Sequence, residues 1–116
     1  MTREVIRIHM EAIGRGPRRA YTFHNDNVLF TILEGTMTPG EQKLAANGDG
    51  ESVRAIKRQF HRVMDEDLRD AVKRLTAKQV VATLSDIHLD PDVAVELFIL
   101  DSSLVQGNGL GHQAAR

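Results

Sequence analysis

One stretch constrains the fold of this chain more than any other. Between Glu51 and Leu75, apolar residues recur at Val53, Ile56, Phe60, Val63, Met64, Leu68, Val72 and Leu75, in steps of three and four apart from the adjacent Val63 and Met64. That spacing is one stripe along an α-helix. The opposite side carries Arg54, Lys57, Arg58, Arg62, Arg69, Lys73 and Arg74, and Asp65–Arg69 and Asp70–Arg74 are i,i+4 pairs in the favourable orientation. A helix with one apolar stripe must bury it, which calls for a sheet or helix partner. We read Phe60, Val63 and Leu68 as the residues that make this contact.

The remaining segments supply that partner. Arg3–Ile13 reads as a short helix, with Thr2 as its cap and Gly14 as its stop. Ala20–His24 and Val28–Glu34 read as strands joined by the polar turn Asn25-Asp26-Asn27. Thr38-Pro39-Gly40-Glu41 is a helix start: a cap, a proline at the first position and a capping-box glutamate. That helix runs over Pro39–Ala46 and stops at Asn47-Gly48-Asp49-Gly50. Gln79–Ser85 and Val93–Leu100 form a second pair of strands, with Asp90-Pro91-Asp92 as the turn.

The order α-ββ-α-α-ββ predicts an α+β, two-layer domain. Two hairpins merge into a four-stranded antiparallel sheet, with the long helix packed on one face. The domain spans 1–101 and 102–116 is a flexible C-terminal tail rich in Ser, Gly, Gln and Ala. Both sides of the strands Val28–Glu34 and Val93–Leu100 are apolar, so the second sheet face should also be covered in part. We assign Leu29, Leu33, Phe98 and Leu100 to that second face, which predicts a homo-oligomer.

Composition excludes several functions. With 15 Lys+Arg against 16 Asp+Glu, the net charge of −1 argues against nucleic acid as a partner. There is no cysteine, so there is no disulfide framework, no cysteine–zinc site and no thiol catalysis. No apolar run is long enough to cross a bilayer, and Arg3, Glu4, Arg7 and Glu11 exclude a signal peptide at the start. A cytoplasmic location is expected.

The ordered motifs resemble a family. Gly14-Arg15-Gly16-Pro17 follows a short helix. Then come Val28-Leu-Phe-Thr-Ile-Leu-Glu-Gly35 and Met37-Thr38-Pro39-Gly40-Glu41-Gln42-Lys43-Leu44-Ala45. The long helix, Val80-Val81, Ser85-Asp86-Ile87 and Glu96-Leu97-Phe98-Ile99-Leu100 complete the succession. Over residues 3 to 101 this is similar to the small bacterial domain family named after MpsC, a component of a sodium-translocating, membrane-potential-generating system. The resemblance implies a link to ion or bicarbonate uptake and membrane energisation, and a membrane transport protein as partner. It supplies no catalytic residue. The first helix is shorter than the family pattern, which points to a start further upstream, and Gly40 stands where that pattern has alanine.

Four features are candidates for chemistry. Gly14, Arg15, Gly16, Arg18 and Arg19 form a glycine-rich turn with clustered arginine, suited to an anion or to an acidic protein surface. A helix C-terminus repels a free anion, so the acidic protein surface is the expected partner. Arg54, Lys57, Arg58, His61 and Arg62 make the first half of the long helix basic, the basis of an alternative role as a nucleic-acid-binding regulator. Asp86, His88, Asp90 and Asp92 alternate and, in an extended strand, share one face, as a metal-dependent enzyme would require. The plainer reading of that segment is a solvated hairpin end. Gly107–Gly111 lacks the setting of a nucleotide loop and reads as tail. No nucleophile–base pair is assembled, so we expect a non-enzymatic accessory or regulatory domain with no catalytic residue, cofactor or metal.

Overall fold

The computed structural model describes residues 1–104. The glycine-rich segment 107–111 and the rest of the expected tail beyond Leu104 lie outside the described residues. Within them the elements follow the expected order: α1 (Thr2–Ile13), β1 (Arg19–Asn25), β2 (Val28–Glu34), α2 (Pro39–Ala46), α3 (Gly50–Thr76), β3 (Val80–His88) and β4 (Val93–Leu100). The sheet is antiparallel with strand order β1-β2-β4-β3, so the two hairpins join along β2 and β4.

Local chemistry accounts for most boundaries. Gly14 takes the left-handed conformation at φ 91° and its N–H bonds to Met10 O, closing α1. Thr38 and Glu41 form the full capping box at the start of α2. β1 and α3 each run one residue further at both ends than expected, and two other boundaries differ for an identifiable reason. Met1, not Thr2, caps α1, because the Thr2 hydroxyl bonds to Thr22, which in turn bonds to the fully buried Thr31. β3 runs on through Asp86, Ile87 and His88, because Asp86, Ile87 and His88 pair with Val95, Ala94 and Val93.

α1 and α3 pack on the same sheet face. The core between them holds Val5, Ile8, Leu29, Leu33, Met64, Leu68, Ala71, Val72, Phe98 and Leu100. This corrects the assignment of Leu29, Leu33, Phe98 and Leu100 to the uncovered side. The face without a helix presents Tyr21, Phe23, Val28, Phe30, Ile32, Val95, Leu97 and Ile99, with Leu84 at 60% exposure. Alternation could not separate the two sides, since both are apolar on the central strands.

The long helix is also rotated from the expected stripe. Leu68 is fully buried and Phe60 only partly, whereas Val63 is 69% exposed and Leu75 51%. Val63 lies one residue, about 100° around the helix, from the buried Met64. The inward line is instead Val53, Lys57, His61, Met64 and Leu68, in steps of four, four, three and four. Two polar residues therefore stand where a core helix would carry apolar ones.

Candidate functional site

Lys57 and His61 are not alone. The buried side of α1 passes from Val5 and Ile8 to His9, which is 6% exposed. On β4 the inward series Leu100, Phe98 continues to Glu96, which is 5% exposed. These three elements bring His9, His61 and Glu96 together. His61 Nε2 lies 2.9 Å from Glu96 Oε1, and His9 Nε2 lies 3.4 Å from Glu96 Oε2. The His61 contact is close but out of line, and Oε1 has no hydrogen-bond donor among the described residues.

The protonation pattern follows from the partners. His9 Nδ1 lies 2.9 Å from the Val5 carbonyl, which can only accept, so Nδ1 carries a proton. His9 can then also donate from Nε2 to Glu96 only as the imidazolium. Burial acts to raise the pKa of Glu96, but the two imidazoles outweigh it and hold the carboxyl below its ordinary range. The close contact with the Glu96 carboxylate raises the pKa of His61, against burial that lowers it.

Above this cluster lies a cavity of about 110 Å³, walled by the end of α1, the first half of α3, and β3 and β4. Arg15, Gly16, Arg54, Lys57, Arg58, His61 and Glu96 all line it. Lys57 is held by Glu41 Oε1 at 3.0 Å and by the Thr36 carbonyl at 3.1 Å. Arg54 donates to the Ile87 carbonyl at 2.8 Å and sits 3.7 Å from Glu51. Arg15 and Arg58 have no ion-pair or hydrogen-bond partner among the described residues. The wall thus contains four permanent cations, two of them unpaired, around the buried carboxylate of Glu96, with the exposed Asp86 also on it.

The structure joins two of the sequence candidates and divides another. The turn after α1 and the basic half of α3 meet at this cavity through Arg15, Gly16, Arg54, Lys57 and Arg58. Arg18 and Arg19 point elsewhere. Arg18 packs on Gly35, where an added Cβ would come within 2.8 Å of Arg18 Cβ. Arg19 stacks over Tyr21 at 4.8 Å and approaches Glu34 at 4.0 Å. Gly14 serves the helix end.

Two of the three aspartates of the second hairpin, Asp86 and Asp92, are occupied. Asp92 accepts from Thr36 Oγ1 at 3.1 Å and from Met37 N at 2.9 Å, tying the hairpin to the start of α2. Asp86 accepts from Ile87 N, and His88 Nδ1 contacts the Pro91 carbonyl. Among the described residues no three His, Asp or Glu side chains are grouped to hold a metal.

Sequence reasoning missed His9 and Glu96 as site residues and placed His61 on an exposed face. The available signal was a polar residue inside an apolar period: His9 four after Val5, Glu96 two before Phe98, His61 three before Met64. One such interruption is common. Three on elements that share a core are a cluster.

Fold and site together define a two-layer α+β domain with a cation-lined cavity over a buried carboxylate–imidazole cluster. The chain belongs to the family described as the Na+-translocating membrane potential-generating system (MpsC), whose model matches residues 1–102. It is similar to the uncharacterized protein YrhF of Bacillus subtilis (strain 168), at 26% identity over 104 residues, covering 87% of this chain and 85% of that protein. No solved structure matches. Among the described residues no helix is long and apolar enough to cross a membrane.

Proposed function

We propose that the chain is a non-enzymatic accessory domain of a membrane-energising ion-transport system. It acts in the cytoplasm, by binding, and meets the membrane only through a transport-protein partner. The observation that carries this reading is the make-up of the cavity, whose charges can hold a ligand. The family description supports the link to sodium translocation and membrane potential. Arg18 and Arg19, exposed next to the cavity-lining Pro17, offer cations to an acidic surface of that partner. The open sheet face, where Phe23 and Phe30 pack with ring centroids 5.2 Å apart, offers an apolar surface to a second copy.

The alternative, a nucleic-acid binder using the basic half of α3, finds less support. Arg54 and Lys57 are spent on carbonyls and Glu41, so few cations of that half remain for phosphates. A cellular experiment tests the preferred reading. Deleting the chain in its host should lower the sodium-dependent membrane potential read by a voltage-sensitive dye. The wild-type chain should restore it, and the triple variant Arg15→Ala, Arg18→Ala, Arg19→Ala should not. An unchanged potential after deletion overturns the reading.

A further inference from the structure

We propose that the cavity between α1, α3 and β4 binds a small oxyanion that carries its own proton, of the hydrogencarbonate or dihydrogenphosphate type. The proposal rests on reading this cavity as the binding site of the chain.

Three observations converge. First, Arg15 and Arg58 face the cavity with no partner among the described residues and outnumber Asp86, the exposed carboxylate on its wall, so the mouth keeps net positive charge. Arginine presents forked N–H donors matched to planar or tetrahedral oxyanions. Second, a cavity of about 110 Å³ suits a ligand of a few heavy atoms. Third, the wall includes Glu96, buried to 5% exposure and held ionised by His9 and His61.

The third observation sets the class of ligand. An ionised buried carboxylate repels a fully deprotonated anion, yet it accepts a hydrogen bond from an O–H group. Glu96 Oε1 lacks an in-line donor, which is costly for a buried charged oxygen. A hydrogencarbonate or dihydrogenphosphate ion supplies both halves: anionic oxygens for Arg15 and Arg58, and one O–H for Oε1. His61 stands over Oε1 with its side chain 19% exposed, so its ring must turn aside to admit that donor. A zwitterion also joins an anion to a donor, but its ammonium would enter beside His9, His61 and Lys57. A further full positive charge there is repelled, and Oε1 calls for a single donor.

Calorimetric titration of the full chain near neutral pH and at constant ionic strength tests this, with sodium hydrogencarbonate, phosphate, sulfate, nitrate and glycine as probes. Saturable binding of hydrogencarbonate or phosphate is expected, and the arm that responds identifies the source of the oxyanion. Sulfate and nitrate, which carry no proton, should bind at least roughly tenfold more weakly, because a site built to accept an O–H rejects analogues without one. Arg15→Gln and Arg58→Gln should each weaken binding by roughly tenfold, the value of one charge-assisted hydrogen bond, with the thermal midpoint unchanged. Glu96→Gln should abolish the discrimination and admit sulfate. Should that variant not fold, the selectivity of the wild-type chain decides alone.

Absence of saturable binding overturns the proposal, as does sulfate or glycine binding as tightly as the hydrogen oxyanions. The membrane-potential assay reads the accessory role separately. A chain that binds without affecting the potential loses that role and keeps its ligand. A chain that affects the potential without binding loses the ligand and keeps the role.

Discussion

The layer between helices and sheet is built at both ends by the same elements, α1, α3 and β4, from opposite materials. At one end Val5, Leu68, Val72, Phe98 and Leu100 are apolar and fully buried. At the other, His9, His61, Lys57 and Glu96 take the same inward positions. The apolar end is held by contact area, about 1.5–3 kcal/mol for each large side chain withdrawn from water. The polar end must remove charges from water and recover that cost pair by pair, which well-packed apolar residues of similar volume would avoid. Departures of this kind from a chain's own apolar pattern are expected at functional or strained sites.

The largest expected effect lies at the apolar end. Phe98→Ala should cost about 3–5 kcal/mol, measured by urea unfolding, since the ring is 1% exposed and its removal leaves a cavity in the core. A loss under about 1 kcal/mol would mean that this end is loosely packed, and the contrast between the ends would fail.

The opposite sign is expected at the polar end. Replacing the whole cluster, with His9→Leu, His61→Leu and Glu96→Met together, should leave stability unchanged or raise it by up to about 4 kcal/mol, as for other buried ion pairs exchanged for apolar groups. Ligand binding should be lost. A clear destabilisation would show that the cluster holds the fold together and is not a departure from it.

This contrast also explains what could be read from the sequence. Helix and strand extents were legible because their signals are local: the capping box at Thr38–Glu41, the left-handed stop at Gly14, the run Val28–Glu34. The four-stranded sheet and the helical layer followed from the order of those elements. Which sheet face meets the helices was not legible, because Leu29 and Leu33 on one side and Phe30 and Ile32 on the other are equally apolar. The rotation of α3 was hidden for a related reason. Val63 and Leu75 extend the apparent stripe, while Lys57 and His61, which turn inward, read as surface. The site was legible in parts. Arg15, Gly16 and the basic half of α3 stood out separately, but their meeting depends on α1 and α3 sharing a face. Glu96 lies 35 residues from His61 and 87 from His9 in sequence, and no local pattern links them.

Titration separates the two ends further, since only the polar end carries groups whose pKa values change on folding within the core. His61 is raised above its ordinary 6.5, so its contribution is full below that value and is lost as pH rises through the folded pKa. Glu96 is lowered from its ordinary 4.5, so its contribution is present above that value and is lost as pH falls through the folded pKa. The cluster therefore stabilises most between about pH 4.5 and 6.5. Urea midpoints measured across pH should fall on both sides of that window. His61→Asn should flatten the alkaline limb, and Phe98→Ala should lower the whole curve without changing its shape. An alkaline limb that survives His61→Asn would assign the titration to another group.

The smallest effect on stability is expected behind both ends, on the open face of the sheet. Leu84 projects from β3 at 60% exposure beside Leu97, with no helix over it. Leu84→Glu should change the unfolding free energy by no more than about 0.5 kcal/mol, because an exposed side chain leaves neither a cavity nor a buried charge behind. Its effect on association should be large. A two-fold contact buries the same patch on both copies, so one substitution places two carboxylates in the interface. Light scattering should give a multiple of 12.9 kDa for the wild-type chain and the single-chain mass for the variant. A wild-type chain that remains monomeric at high concentration would remove the second copy as occupant of this face. Ligand binding unchanged by Leu84→Glu would place the cavity and the open face in separate functions, on opposite sides of one sheet.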